Sequence, residues 1–142
     1  MSSLHKQNGD DYPDAAAKHL ADAKALTVAH RYDGAGYLAG YVVECALKSL
    51  LQVEIGEAPR THSYQDLLGE IGNTCLAAGA ATAKYVTAPI RAIREGPIGG
   101  WRETMRYRSP SMSGGDAEAW VEAATLVYTD TVATMILDGV IQ

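Results

Sequence analysis

Phenylalanine is absent from this sequence of 142 residues, and cysteine occurs only twice. Cys45 and Cys75 each lie alone inside an apolar stretch, and neither belongs to a CxxC pair. This excludes a disulfide framework of the kind found in small secreted proteins. Because free cysteine behaves as a small hydrophobic residue, we expect both to be buried free thiols.

A basic excess and a long hydrophobic run are also missing. The formal net charge is −5, which argues against a general affinity for phosphate backbones, because such affinity needs excess positive charge. No stretch approaches the roughly 18 uncharged apolar residues that a transmembrane helix requires, and the first dozen residues contain no hydrophobic signal core. The sequence therefore predicts a cytoplasmic protein that makes no contact with a membrane.

The alternation of β-branched and polar residues that marks strands is hard to find, whereas alanine is abundant. These features predict an all-α fold of about five helices. The clearest helix begins at Asp33 or Gly34 and runs to about Val53, and it is apolar almost all round, as expected for a central helix. We expect a polar N-terminal tail over residues 1–12 and a single helical-bundle domain over residues 13–142.

Local signals in the second half of the chain concern two helices and the segment between them. Pro89 is expected to kink a fourth helix. Asp116 is expected to be the N-cap of a final helix that runs to Ile141. Residues 95–115 are irregular, and a segment of this length in a compact domain is usually functional or mobile.

Four polar side chains recur along the central helix at spacings of four, three and four residues: Tyr37, Tyr41, Glu44 and Lys48. These spacings place them on a single face. One interpretation is a solvent face whose exposed Glu44–Lys48 pair contributes about 0.5 kcal/mol or less. The other is a groove or a dimer interface, with the tyrosines supplying amphipathic contact area.

A basic cluster follows in an otherwise acidic chain, since five of the twelve basic residues lie between positions 91 and 108. The densest part, WRETMRYRSP, contains Arg102, Arg106 and Arg108 interleaved with Trp101 and Tyr107. Guanidinium groups beside aromatic rings suit phosphate binding and base stacking. Alternatively, the two aromatic residues anchor the segment to the bundle while the arginines are solvated or bind carboxylates.

His62 stands just before the predicted N-terminus of a third helix, which Ser63 is expected to cap. A histidine there can act as a general acid or base or help to hold an anion, or it can pack locally. His19 and His30 share a face of the first helix, but they have no cysteine or acidic partner at ligand spacing. We therefore predict no metal ion and no cofactor.

Three segments, in this order, resemble the HEPN domain family: YVVECALKSLL, THSYQDLL and MRYRSP. The resemblance spans roughly residues 14–138. It implies an up-and-down helical bundle that is commonly a homodimer. Many members of the family are ribonucleases that use an arginine and a histidine separated by four to six residues.

This chain departs from that ribonuclease pattern. Its histidines are residues 5, 19, 30 and 62, and no arginine precedes any of them at the family's spacing; Arg60, for example, is too close to His62. The resemblance then implies a non-catalytic accessory module that engages a nucleotide, single-stranded RNA or a separately encoded minimal nucleotidyltransferase. Under this hypothesis one polar site collects Glu44, Lys48, His62, Arg106 and Tyr107, with Tyr41 and Arg102 as further candidates.

Two alternatives remain open. The chain could be a ribonuclease toxin of a toxin–antitoxin pair, with an atypical active site built from His62 and the Arg102–Arg108 segment. It could also be a structural or interaction domain without a ligand, in which Glu44 pairs with Arg106 and holds the long segment in place.

Overall fold

The computed structural model describes all residues from 1 to 142 and contains helices but no strands. Five helices form the bundle: α1 (Tyr12–Val28), α2 (Tyr32–Ile55), α3 (Tyr64–Thr74), α4 (Thr87–Glu95) and α5 (Gly114–Tyr128). A π-helical turn (Thr129–Ala133) and a last α-helical turn (Thr134–Leu137) continue α5. The prediction of an all-α bundle of about five helices is confirmed. None of the helices combines the length and the hydrophobicity that crossing a lipid bilayer requires.

Helix α2 is the centre of the bundle, as its apolar composition predicts. Every residue from Val42 to Gln52 is buried. The helix packs most extensively against α1 and α5, and also against α3. Its leucines Leu47, Leu50 and Leu51 are fully buried. The buried polar residues of α2, among them Glu44 and Lys48, therefore lie within the packed centre of the bundle.

Local side-chain chemistry explains where the helices begin. The Ser63 side chain accepts a hydrogen bond from the backbone N–H of Asp66 and caps α3, as predicted. The N-cap of α5 is Ser113 rather than Asp116, which corrects the sequence prediction: Ser113 accepts from the N–H of Asp116, which belongs to the first turn. A carboxylate in that turn is favourable because of the positive end of the helix dipole.

Pro89 does not kink a helix, contrary to expectation. The chain forms a short 3₁₀ turn at Ala83–Tyr85, and α4 begins only at Thr87. Pro89 is thus the third residue of α4, within the first turn, where backbone N–H groups have no partner inside the helix. The missing N–H of proline costs nothing at this position.

The segment between α4 and α5 contains two 3₁₀ turns, Pro97–Gly100 and Glu103–Tyr107. Trp101 lies between the two turns, is fully buried, and donates from Nε1 to the Tyr37 carbonyl oxygen at 3.0 Å. Further along, the Asp33 carboxylate accepts from the backbone N–H of Met112. These contacts fix the segment over the N-terminal half of α2.

Candidate functional site

A buried ion pair lies at the middle of α2. The Nζ atom of Lys48 is 2.7 Å from Oε1 of Glu44, and the two residues are only 6% and 3% exposed. The interpretation as an exposed surface pair is therefore wrong. Charges withdrawn from water are costly unless they are paired and hydrogen-bonded. Lys48 also lies over the ring of Tyr12, 5.4 Å from its centroid.

His62 shares the same carboxylate. Its Nδ1 atom lies 3.1 Å from Oε1 and 3.0 Å from Oε2 of Glu44. The His62 side chain is 47% exposed, and its position just before the Ser63 cap brings it from the start of α3 onto α2. A carboxylate that holds Nδ1–H leaves the Nε2 lone pair free to accept a proton from outside the protein. The pair thus has the geometry of an oriented base at the surface.

Tyr41 lies beside this ion-pair network and joins it to a group of aromatic rings. Its ring centroid is 5.8 Å from that of His62, 5.1 Å from that of Tyr37 and 4.9 Å from that of Trp101. The hydroxyl groups of Tyr37 and Tyr41 are 2.9 Å apart. Burial, followed by this hydrogen bond, raises the pKa of Tyr41 well above its ordinary value, so its phenol stays protonated.

Arg106 lies at the end of this aromatic group that is farther from His62. The neighbouring hydroxyl groups of Tyr37 and Tyr107 raise the pKa of Arg106 above its ordinary value, so its guanidinium stays charged. Its Cζ atom is 4.8 Å from the centroid of the Tyr107 ring, and Tyr107 is 76% exposed. Contacts between rings run from Tyr37 through Tyr41 to His62, and Arg106 lies close to the Tyr37 end of this group.

Arg106 and Glu44 lie on the same side of the bundle but do not form an ion pair. Both carboxylate oxygens of Glu44 are within hydrogen-bonding distance of His62, and Oε1 also bonds Lys48. The guanidinium of Arg106 instead lies over the ring of Tyr107. The predicted Glu44–Arg106 pair that would hold the long segment in place is thus not formed, because both oxygens of Glu44 already bond to nearer groups.

These neighbouring side chains form one polar and aromatic group, which we name the α2 site: Tyr37, Tyr41, Glu44, Lys48, His62, Arg106 and Tyr107. That these residues bind a ligand remains a prediction.

Arg102 is directed elsewhere. Its Nη1 atom donates to the carbonyl oxygens of Gly99 and Trp101, at 3.1 and 2.6 Å. It lines a separate cavity between α3 and α4. Of the two aromatic residues expected to anchor the segment, Trp101 does so and the exposed Tyr107 does not.

Sequence reasoning did not place His19 next to the α2 site. His19 of α1 lies with its ring centroid 5.6 Å from that of Tyr41, and its Nδ1 atom is buried without a hydrogen-bond partner. Burial, and then the charge of Lys18, lowers its pKa. The spacing between His19 and His30 carries no information about this contact, because the packing of α1 on α2 decides which α1 residues face Tyr41.

Comparison with models of protein families identifies the family of this chain. The model of the HEPN domain family matches residues 11–133. A search of the curated proteins found no match, and a search of the solved structures found none either.

Proposed function

This chain belongs to the HEPN domain family, a group of RNA-binding and nuclease-related modules, and we propose that it is a cytoplasmic module that binds single-stranded RNA without cleaving it. The binding surface is the exposed end of the α2 site, where Arg106 and Tyr107 meet. The buried end, with Glu44 and Lys48, positions His62 and the tyrosines and does not itself contact the RNA.

One observation carries this proposal: the exposed stack of Arg106 on Tyr107 at the edge of the ordered aromatic group. A guanidinium can bind a phosphate through two parallel hydrogen bonds, and a free tyrosine face can stack on a base. The surrounding charge supports this use. Arg91 pairs with Glu95, but the four arginines that follow it in sequence (Arg94, Arg102, Arg106 and Arg108) have no carboxylate partner. The segment is locally basic although the chain is acidic.

We expect the substitution Arg106→Ala to weaken the affinity for single-stranded RNA about tenfold, the effect of losing a charge-assisted hydrogen bond of roughly 1.5 kcal/mol. The measurement is fluorescence anisotropy of a short RNA labelled at its 3′ end, repeated over a series of salt concentrations. The slope of log K against log salt should fall by about 0.7, the value for one phosphate contact on a single strand.

Arg91→Ala is the matched control, because it makes the same change in net charge on an exposed arginine of α4. It should shift the affinity much less, since Arg91 already pairs with Glu95 and lines a different groove. Equal losses in the two variants would mean that only overall charge matters, and the proposed surface would be wrong.

A ribonuclease remains the second candidate, and the Glu44–His62 pair favours it. A half-exposed imidazole whose Nδ1 is held by a buried carboxylate resembles the oriented base of many hydrolytic sites. Such a base would take the proton of a ribose 2′-hydroxyl, and Arg106 would face the phosphate.

If the chain cleaves RNA, His62→Ala should lower the rate by about 100-fold or more, the usual contribution of a positioned base. The assay is electrophoresis of an end-labelled RNA, with circular dichroism to verify the fold. His30→Asn is the control: His30 is exposed, its ring stacks on Tyr32, and its φ of 60° is one that asparagine tolerates. Cleavage by the wild type that persists in the His62 variant would exclude this mechanism, and absence of cleavage in the wild type would leave the binding module.

We also propose that the exposed apolar surface at the end of the chain's last helix binds a protein. Domains of this family often dimerise, and Leu126, Ile136 and Leu137 along the last helix are exposed apolar residues. A second copy of the chain or a separately encoded nucleotidyltransferase are the two partners we propose for this surface.

A further inference from the structure

A second polar feature of the molecule lies outside the α2 site. A cavity of about 560 Å³ opens between the start of α3 and the end of α4. The segment between α4 and α5 contributes the remaining wall through Gly99, Arg102 and Glu103. Cavities of this size are typical of sites for small molecules.

The cavity brings together two cations from separate elements. Arg94 comes from the last turn of α4, and Arg102 precedes the second 3₁₀ turn. Neither has a carboxylate within ion-pair distance, and Arg102 is oriented by the carbonyl oxygens of Gly99 and Trp101. A phosphate monoester carries nearly two negative charges at neutral pH, whereas a phosphodiester carries one. Two guanidinium groups therefore match a terminal phosphate better than an internal one.

The rest of the lining suits the other parts of a nucleotide. Leu68 and Ile93 provide an apolar surface against which a base can lie. The Gln65 amide and the Glu103 carboxylate provide donors and acceptors for base edges and ribose hydroxyls. Specific small-ligand sites usually combine apolar surface with polar groups that fix the orientation of the ligand.

We propose that this cavity, which we name the α3–α4 cavity, binds a nucleoside 5′-monophosphate unit with its phosphate between Arg94 and Arg102. The unit is the 5′-phosphorylated end of an RNA or a free mononucleotide. The inference deepens the proposed function and rests on it for the RNA, because Arg102 belongs to the same segment as Arg106 and Ser63 of the cavity follows His62 of the α2 site. The proposed RNA surface and the cavity are therefore formed by neighbouring parts of the same two segments of the chain.

Gly69 offers a direct test. It lies on α3 and lines the cavity, and a Cβ atom built on it meets nothing within 4 Å. Gly69→Leu therefore places an apolar side chain in the cavity wall with no clash at its Cβ atom and no change of charge, and leucine is the better helix former. Gly72→Leu is the matched control, since Gly72 is on the same helix, is equally free of neighbours and does not line the cavity.

The experiment compares two RNAs of one sequence, labelled at the 3′ end and carrying either a 5′-phosphate or a 5′-hydroxyl. The wild type should bind the phosphorylated RNA about tenfold more tightly, as expected from an additional charge-assisted contact. Gly69→Leu and Arg94→Gln should remove this preference, and Gly72→Leu should keep it. Titration calorimetry with adenosine 5′-monophosphate, and with adenosine as the probe without phosphate, tests the free mononucleotide.

Binding of adenosine 5′-monophosphate that Gly69→Leu abolishes, without any preference between the RNAs, would support the cavity with the free mononucleotide as its source. A wild type that neither prefers the 5′-phosphate nor binds the mononucleotide would overturn the inference. So would a preference that survives Gly69→Leu. The proposed function and this inference can fail independently. Arg106→Ala should weaken the binding of both RNAs equally, so that the ratio of their affinities stays unchanged.

Discussion

Replacement of Glu44 by leucine is expected to destabilise the protein by about 3–5 kcal/mol, because it leaves the Lys48 ammonium buried without a counter-ion. Lys48 is 6% exposed, and the Glu44 carboxylate is its only hydrogen-bond acceptor. The loss should lower the melting temperature by about 10–17 °C for a domain of this size. Urea denaturation followed by circular dichroism measures the change.

The double variant Glu44→Leu/Lys48→Met separates the cost of an orphaned charge from the value of the pair. Replacing a buried ion pair with apolar side chains of similar size is often neutral or stabilising, so most of the lost stability should return. His62 needs no rescue, because its half-exposed ring regains water as a partner. A double variant as unstable as Glu44→Leu alone would show that the carboxylate contributes by contacts other than the Lys48 ion pair.

Glu95→Leu provides the surface comparison. Glu95 pairs with Arg91 at 3.9 Å with both side chains largely exposed, and exposed pairs contribute about 1 kcal/mol or less. Restored stability in the double variant, together with lost RNA binding, would indicate that the Glu44–Lys48 pair supports the geometry of the α2 site and does not stabilise the fold.

The helical fold and the central place of α2 could be predicted from the sequence. Apolar residues on nearly every side of α2 require burial on every side, and the serine before α3 is a strong local capping signal. The burial of Glu44 and Lys48 could not be predicted from the same pattern. Two charged residues four positions apart have the same spacing whether their face of the helix is exposed or covered. Here Tyr12 covers Lys48 and His62 covers Glu44.

Most residues of the α2 site could be named from the sequence, but which of them contact one another could not. Glu44 and His62 are 18 positions apart, and they meet because the turn before α3 returns the chain to α2. Arg106 and Arg102 look equivalent in the sequence, yet the guanidinium of Arg106 lies over the ring of Tyr107, whereas Arg102 lines the α3–α4 cavity. The intervening 3₁₀ turn determines this difference, and short 3₁₀ turns have no strong sequence signal.

Gly40→Ala is expected to release the arginine segment from the bundle. A Cβ atom at Gly40 would overlap the indole ring of Trp101, which is rigid and fully buried. Displacing the ring forfeits its burial and its hydrogen bond to the Tyr37 carbonyl, a loss comparable with a tryptophan-to-alanine change of about 3–5 kcal/mol. The higher helix propensity of alanine offsets roughly 1 kcal/mol of this.

Three measurements should change together in this variant. The free energy of unfolding should fall, and the emission of Trp101 should shift to the red in a Trp120→Phe background. The affinity for RNA should fall as well, since Trp101 is the buried anchor nearest to Arg106. Unchanged emission with wild-type stability would mean that Trp101 does not hold the segment.

Gly36→Ala isolates the role of the ring. It makes the same substitution one turn earlier on α2, where the new Cβ would meet the end of the Met112 side chain. A methionine can move aside by rotating about three bonds, whereas the indole of Trp101 is confined by the rings of Tyr41 and Tyr64. We therefore expect Gly36→Ala to change stability by less than about 1 kcal/mol, since the helix-propensity gain offsets the small displacement. Because the two variants share the helix and the added methyl group, a large difference between them can arise only from what each glycine faces, and for Gly40 that is the ring that fixes the arginine segment.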